Sequence, residues 1–292
     1  MAKKVLVTGA SGMIGRELCN QLNADDYYVV AIDNHFRYSH RPGCAEYVTA
    51  NIQTYLPKID NDFDYIFHMG AINGTKYFYD IPNQLLENNI TTDFSVFDFC
   101  KRNSKCKLIY ASSSEVVAGT EVFPTPELID VSIKDIHNPR WSYRLSKMVS
   151  ENYLTNCESI DSLIVRFFNA FSPASGSGHF VRDILDKIDN EDFTLIGADE
   201  TRCFIRVEDT VDALLNIFKD VSFEVVNIGS DEEITVLEAA TILAKHKGVN
   251  PFWKHVDGNI GSVKRRRPDI SKLKEFYPLF KPAKFADSVG DL

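Results

Sequence analysis

Lys4-Val5-Leu6-Val7-Thr8-Gly9-Ala10-Ser11-Gly12-Met13-Ile14-Gly15 is the stretch that decides the fold. Lys4 to Thr8 is a short apolar, β-rich run of the kind that forms a buried strand. A glycine-rich turn follows, and Arg16 to Leu22 reads as helix. Strand, glycine turn and helix together cradle a dinucleotide pyrophosphate. Gly9 permits the tight turn and Gly12 lets the backbone approach phosphate. Gly15 lets helix and strand pack closely, with the helix N-terminus facing the anion.

Working outward, Tyr28 to Ile32 forms a second strand ending at Asp33. A carboxylate there accepts hydrogen bonds from ribose hydroxyls and repels a 2′-phosphate. That favours NAD over NADP, although Arg37 lies close by. Further strands are expected at Asp64–His68, Lys107–Tyr110 and Leu163–Phe168, and helices at Pro82–Lys101 and from Tyr143 to about Asn156. This alternation predicts an α/β fold, a doubly wound parallel Rossmann sheet with ligands at the strand C-terminal ends. After Asn169 the texture changes at Ser172-Pro173-Ala174-Ser175-Gly176-Ser177-Gly178, which reads as a flexible loop. Residues 1–170 are therefore expected to bind dinucleotide, and residues 171–292 to form mainly a smaller C-terminal substrate-binding lobe. Val211–Leu215 and Asn227–Gly229, within the segments near 203–230, are expected to rejoin the first domain.

Tyr143 and Lys147 stand four apart on a predicted helix and so project from one face. A free phenol has a pKa of about 10, and a neighbouring ammonium favours its ionised form. Beside a hydride acceptor, that pair suits oxidation of an alcohol.

Bulk properties narrow the classes. A net charge of -9 with no long basic face argues against nucleic acid as the main partner. The six cysteines are scattered, which fits thiols of a reducing compartment rather than a disulfide framework or zinc site. The seven histidines have no ligand-like spacing, so no metal is implied. His68 ends a strand near the cofactor, where a structural role is usual. No apolar stretch approaches the roughly 20 residues that span a bilayer. A soluble, cytoplasmic protein is expected, with no membrane partner and no signal peptide ahead of the first strand.

With these pieces placed, the chain resembles the extended short-chain dehydrogenase/reductases, specifically the epimerase/dehydratase group acting on nucleotide sugars. The resemblance runs from Val5 to about Lys272. It rests on the glycine turn, Asp33, Tyr143-x-x-x-Lys147, Asn88-Asn89-Ile90, Arg166-Phe167-Phe168-Asn169, Thr201 to Asp209 and Arg267-Pro268-Asp269. It implies a cofactor site that also takes in Ser11, Met13, Ile14, Asn34, Asn51, Ile52, Met69, Gly70, Ala71, Asn89 and Phe167. It implies a catalytic hydroxyl after the Lys107 strand. Aligned from the strand, Ala111 to Glu115 matches the decarboxylases of UDP-glucuronate and makes that hydroxyl Ser113; aligned from Gly119 it is Ser114. Glu115 then stands where dehydratases keep a base for carbon 5, or beside the carboxylate end of a sugar acid. The plainer reading has it cap a turn or pair with an arginine. Arg202, Asn169 and one of Arg265, Arg266 or Arg267 are implied as clamps for a nucleoside diphosphate.

Some features depart from the pattern. Val117-Ala118 replaces the usual Tyr-Gly, Met69-Gly70-Ala71 stands for Leu-Ala-Ala, Asn51 replaces an aspartate, and the expected Gly-Trp-x-Pro is absent. The resemblance implies oxidation of carbon 4 of the sugar, followed by elimination, decarboxylation, or re-reduction as in an epimerase or 4-reductase. Glu115 tilts the reading toward the first two. A non-catalytic NAD-binding regulatory protein is the alternative of another class, against which stands the retention of Ser, Tyr and Lys together. A homodimer through the helices carrying Asn88 and Tyr143, a four-helix interface, is implied as well.

Overall fold

The computed structural model describes residues 2–133, 135–173, 175–176, 178–258 and 263–292. Seven strands form one all-parallel sheet: β1 (Lys4–Thr8), β2 (Tyr28–Asp33), β3 (Glu46–Thr49), β4 (Tyr65–His68), β5 (Lys107–Ser113), β6 (Ser162–Phe167) and β7 (Glu224–Ile228). Their spatial order is β7-β6-β5-β4-β1-β2-β3. The order reverses between β1 and β4, and a crevice opens there at the strand C-terminal ends. β3 lacks an apolar run in its sequence, and pairing with β2 from Val30↔Glu46 to Asp33↔Thr49 supplies its order. β5 runs to Ser113, three residues past the expected end, because Ala111, Ser112 and Ser113 continue the ladder with β6.

Strand alternation sorts the core into two layers. Val5, Val7, Val29, Ala31, Phe67, Ile109 and Val165 face helices α1 (Met13–Ala24) and α5 (Val207–Ile217). Leu6, Val30, Ile32, Ile66, Leu108, Tyr110 and Ile164 face α2 (Pro82–Cys100) and α3 (Trp141–Thr155). α2 begins with proline in its first turn, where the missing N–H costs nothing. Its buried stripe turns polar at Asn89, Thr92 and Asp93, and that of α3 carries Tyr143, Lys147, Ser150 and Glu151. Two central helices thus bury polar groups against the sheet, and those groups need partners.

A separate core holds Phe171, α4 (Phe180–Asp189), α6 (Val236–His246), Trp253 and Phe285. α6 opens with a capping box, Thr235 and Glu238 each bonding the other's backbone N–H. Here Thr194–Ile196 pairs in parallel with Lys254–Val256. α5, β7 and also Ile270, Leu273 and Phe280 pack into the first core. Of the loop read at 172–178, Ala174 and Ser177 lie outside the described residues. No helix among the described residues is long and apolar enough to cross a membrane.

Candidate active site

A cavity of about 510 Å³ runs from the glycine turn along the C-terminal ends of β1, β4, β5 and β6. Its first part is shaped by absent side chains. Gly9 has φ +66°, and a Cβ there would lie 2.6 Å from the Gly70 backbone. A Cβ on Gly15 would lie 2.2 Å from the Gly9 carbonyl oxygen. α1 starts at Gly12 with no capping side chain and no acidic residue in its first turn. Its N-terminal N–H groups remain available to an anion. Asp33 is held in place by two backbone donors, Ser11 N–H at 3.0 Å and His35 N–H at 2.7 Å. Its carboxylate both organises the turn and faces the cavity. A dinucleotide therefore fits the residues present: Gly9, Gly12 and Gly15 at the pyrophosphate, and Asp33 at a ribose.

The same cavity is lined by Asn34, Asn51, Ile52, Met69, Gly70, Ala71, Met13, Ile14 and Phe167. Two members of the expected set face elsewhere. The Ser11 hydroxyl bonds Tyr47 Oη at 2.6 Å, and Asn89 is buried, clamping the N–H and C=O of Ile72 at 2.8 and 3.0 Å. Asn89 thereby shapes the wall from behind. Arg37 stacks on the rings of Tyr38 and Tyr77, at 5.1 and 5.3 Å.

At the far end, Tyr143 and Lys147 both reach the cavity from α3, and both are buried. Tyr143 stacks on Phe78 with 5.3 Å between ring centroids. Burial drives its phenol well above the usual range, while a hydrogen bond with Ser113 pulls the other way. The Lys147 ammonium is engaged below, donating to Tyr110 Oη at 3.0 Å. The two serines separate cleanly. Ser113 bears on Tyr143, whereas Ser114 Oγ accepts from Arg266 Nη1 at 3.0 Å.

Glu115 is buried between two guanidinium groups, accepting from Arg266 at 2.8 Å and from Arg140 at 3.2 Å. The cations Arg266, Arg140 and Arg202 outweigh burial and hold its carboxyl down at about 2. Of the basic run 264–267, Arg266 is the residue that turns inward. Arg265 forms a two-pronged pair with Glu233, and Arg267 leans toward the same acid at 3.9 Å. Arg267 and Arg202 do not line the cavity; Arg202 is spent on Glu200 at 2.8 Å. Asn169 does line it, in the left-handed region at φ 43°, a conformation asparagine tolerates. Thr125 is laced to the segment after Arg266, its N–H donating to the Arg267 carbonyl and its C=O accepting from Asp269 N–H, both at 2.8 Å.

The model of the NAD dependent epimerase/dehydratase family matches residues 5–229. The chain belongs to that family. Among relatives of this epimerase/dehydratase, a UDP-N-acetyl-alpha-D-glucosaminuronate decarboxylase of Bacillus cytotoxicus is 29% identical over 304 residues, covering 95% of this chain and 94% of the relative. UDP-glucuronic acid decarboxylase 1 of Danio rerio is 28% identical, covering 93% and 67%. A UDP-glucose 4-epimerase of Thermotoga maritima superposes with TM-score 0.88 at 22% identity, covering 98% of this chain and 96% of the other, which shows the shared fold. A UDP-N-acetylglucosamine 4-epimerase of Methanobrevibacter ruminantium gives TM-score 0.86 at 25% identity, covering 99% and 96%. The cofactor is NAD, in keeping with the cradle and Asp33.

Several residues of this family member were not singled out in the sequence. Arg140 immediately precedes α3, and only its distance to Glu115 gives it a role. His179, at the N-cap of α4, lines the cavity, and burial holds its imidazole down at about 4. Asp93 and Tyr110 sit beneath Lys147. Polar residues at core-facing helix positions were the available signal for Asp93.

Proposed function

We propose that the chain oxidises carbon 4 of a nucleoside-diphosphate sugar acid and that the sugar carboxylate then leaves as carbon dioxide. Bound NAD supplies the hydride acceptor. Tyr143 takes the proton of the 4-hydroxyl while Ser113 hydrogen-bonds the same oxygen and steadies it. Lys147, from the floor, favours the phenolate that accepts that proton. A keto group at carbon 4 makes a carboxylate on carbon 5 a β-keto acid, which loses carbon dioxide without any base at carbon 5; the electron pair left behind passes to the 4-keto group as an enolate, and carbon 5 then takes a proton from solvent.

The observation that carries the choice is Glu115 held between Arg266 and Arg140. A carboxyl held at about 2 is a poor base for a carbon-bound proton, which speaks against a dehydratase role. The cations around it outnumber the acid, and Arg266, which lines the cavity, has a buried Nε–H with no partner among the described residues. That group suits a second anion, supplied by the substrate. The name of the Bacillus cytotoxicus relative agrees.

Incubation with NAD and either UDP-glucuronate or UDP-N-acetylglucosaminuronate, followed by proton NMR in deuterated water and carbon dioxide capture, tests the reading. Release of carbon dioxide from an acid, with UDP-glucose, dTDP-glucose and GDP-mannose inert, is expected. Inversion at carbon 4 of a neutral sugar would replace it with an epimerase. Deuterium at carbon 5 with loss of water would restore Glu115 as a base. Silence across the panel with NAD bound would favour a non-catalytic protein.

A further inference from the structure

Beneath the cavity lies a closed polar cluster that the proposed reaction does not use. Asp93, on α2, is fully buried. Its Oδ1 meets His68 Nε2 at 2.9 Å, and its Oδ2 accepts from Tyr110 Oη at 2.5 Å and Ser150 Oγ at 2.6 Å. Tyr110 passes the contact on, accepting from Lys147 Nζ at 3.0 Å, and that nitrogen stands 3.9 Å from Asp93 itself. On the other side His68 Nδ1 meets Thr8 Oγ1 at 2.6 Å, and Thr8 accepts from Gly70 N–H at 3.3 Å. Thr8 immediately precedes Gly9, and Gly70 is the residue packed against Gly9. The cluster therefore spans β1, β4, β5, α2 and α3, from the cofactor turn to the lysine.

We propose that Asp93 is the positioning residue of Lys147: it keeps the lysine an ammonium ion, fixes its aim from below, and ties it through His68 and Thr8 to the cofactor turn. This rests on the reading of Tyr143 and Lys147 given above. A proton wire is the competing role for such a chain. It fails here because Thr8, His68, Asp93, Tyr110 and Ser150 are all buried, and the chain ends on a backbone N–H, which offers no exit to water. A mere core plug would have no reason to contact Lys147, the one lysine among the described residues that lines the cavity.

The charges around Lys147 single out Asp93. Its own helix offers Tyr143, Ser150 and Glu151, but Glu151 is spent on Arg166 of β6, at 2.9 and 2.6 Å, and on Ser112. β5 offers the phenol of Tyr110, and β4 offers His68 behind the carboxylate. Asp93 is left as the counter-ion. Burial pulls the lysine down and Asp93 is the main group holding it up, while the lysine and the donors around Asp93 keep that acid ionised. Tyr110 and Ser150 donate to the carboxylate, His68 Nε2 contacts it, and the ammonium stands 3.9 Å away. Lys147 spends one N–H on Tyr110 and keeps others for the cavity.

The test is an NMR titration of 15Nζ-lysine in the NAD-loaded protein, with the Lys147 signal assigned by its loss in Lys147→Met. Asp93→Asn is expected to lower the Lys147 midpoint by about one pH unit or more. The alkaline limb of kcat should move down by the same amount. Tyr110→Phe keeps the charge but removes one acceptor of the ammonium, so its midpoint should fall by less than in Asp93→Asn. An Asp93→Asn midpoint equal to the parent, or a Tyr110→Phe midpoint lowered as far as in Asp93→Asn, would overturn the proposal. Should Asp93→Asn not fold, Ser150→Ala decides. Freed of that donor while Tyr110 still accepts from the ammonium, the carboxylate turns more of its charge on the lysine and the midpoint rises; an unchanged or lower midpoint refutes the idea. The titration needs no turnover, so a chain inactive on every sugar would sink the proposed reaction and leave this result readable.

Discussion

Replacing Glu115 by glutamine isolates the charge at the centre of the cationic wall. The side chain keeps its size and an acceptor oxygen but no longer balances Arg266 and Arg140. The carboxyl is held at about 2 against an ordinary 4.5. That gap of about 2.5 pH units, at about 1.36 kcal/mol each, corresponds to about 3 kcal/mol of stability at neutral pH. A similar figure, about 3–5 kcal/mol, is typical for removing one partner of a buried ion pair. The sign follows from a depressed pKa. The contribution is complete above about pH 4.5 and drains away as pH falls toward 2. At pH 3.5 about 2 kcal/mol should remain. Urea unfolding of parent and Glu115→Gln at pH 7 and pH 3.5 measures both gaps. Equal stability at pH 7, or a gap that does not narrow at pH 3.5, would show that the arginines are not holding this carboxylate.

Tyr143→Phe should lower kcat by about 10²–10⁴-fold with NAD affinity nearly unchanged; calorimetric titration against steady-state rates separates the two. Ser113→Ala should act on kcat, by about 10²-fold, and Ser114→Ala on the substrate KM through Arg266; the reverse pattern would move the catalytic hydroxyl to Ser114. Gly15→Ala forces a Cβ to within 2.2 Å of the Gly9 carbonyl oxygen. The turn must shift, so NAD affinity should fall at least about tenfold and stability by about 1–3 kcal/mol; titration and thermal melts would show neither if the turn were slack.

What could be read from the chain divides by range of interaction. The cradle was legible because strand, glycines and helix are neighbours in sequence, and each glycine answers a local steric demand. Tyr143 and Lys147 were legible as a pair because helical spacing alone puts them on one face. Their surroundings were not. Whether Lys147 meets Tyr143 or Tyr110 depends on how α3 lies against β5, and spacing along one helix cannot decide that. The choice between Ser113 and Ser114 turned on the length of β5, which in turn depends on its ladder with β6. Arg266 and Arg267 looked alike in the run 264–267, and only the ladder joining Thr125 to the Pro268 segment fixes which of them faces Glu115. β3 was missed because its four residues carry no apolar run of their own.

The lacing of Thr125 to the segment after Arg266 has a consequence for biogenesis. Ser114 and Arg266 meet across 152 residues of chain, so the cationic wall is assembled late, whereas the cofactor turn closes within the first strand and helix. Contacts of such separation form only after much loop entropy has been lost. A growing or truncated chain can therefore present a nucleotide cradle, Tyr143 and Lys147 well before it can present Arg266 to Glu115. The charge balance around Glu115 is met when the segment carrying Arg266 docks against it.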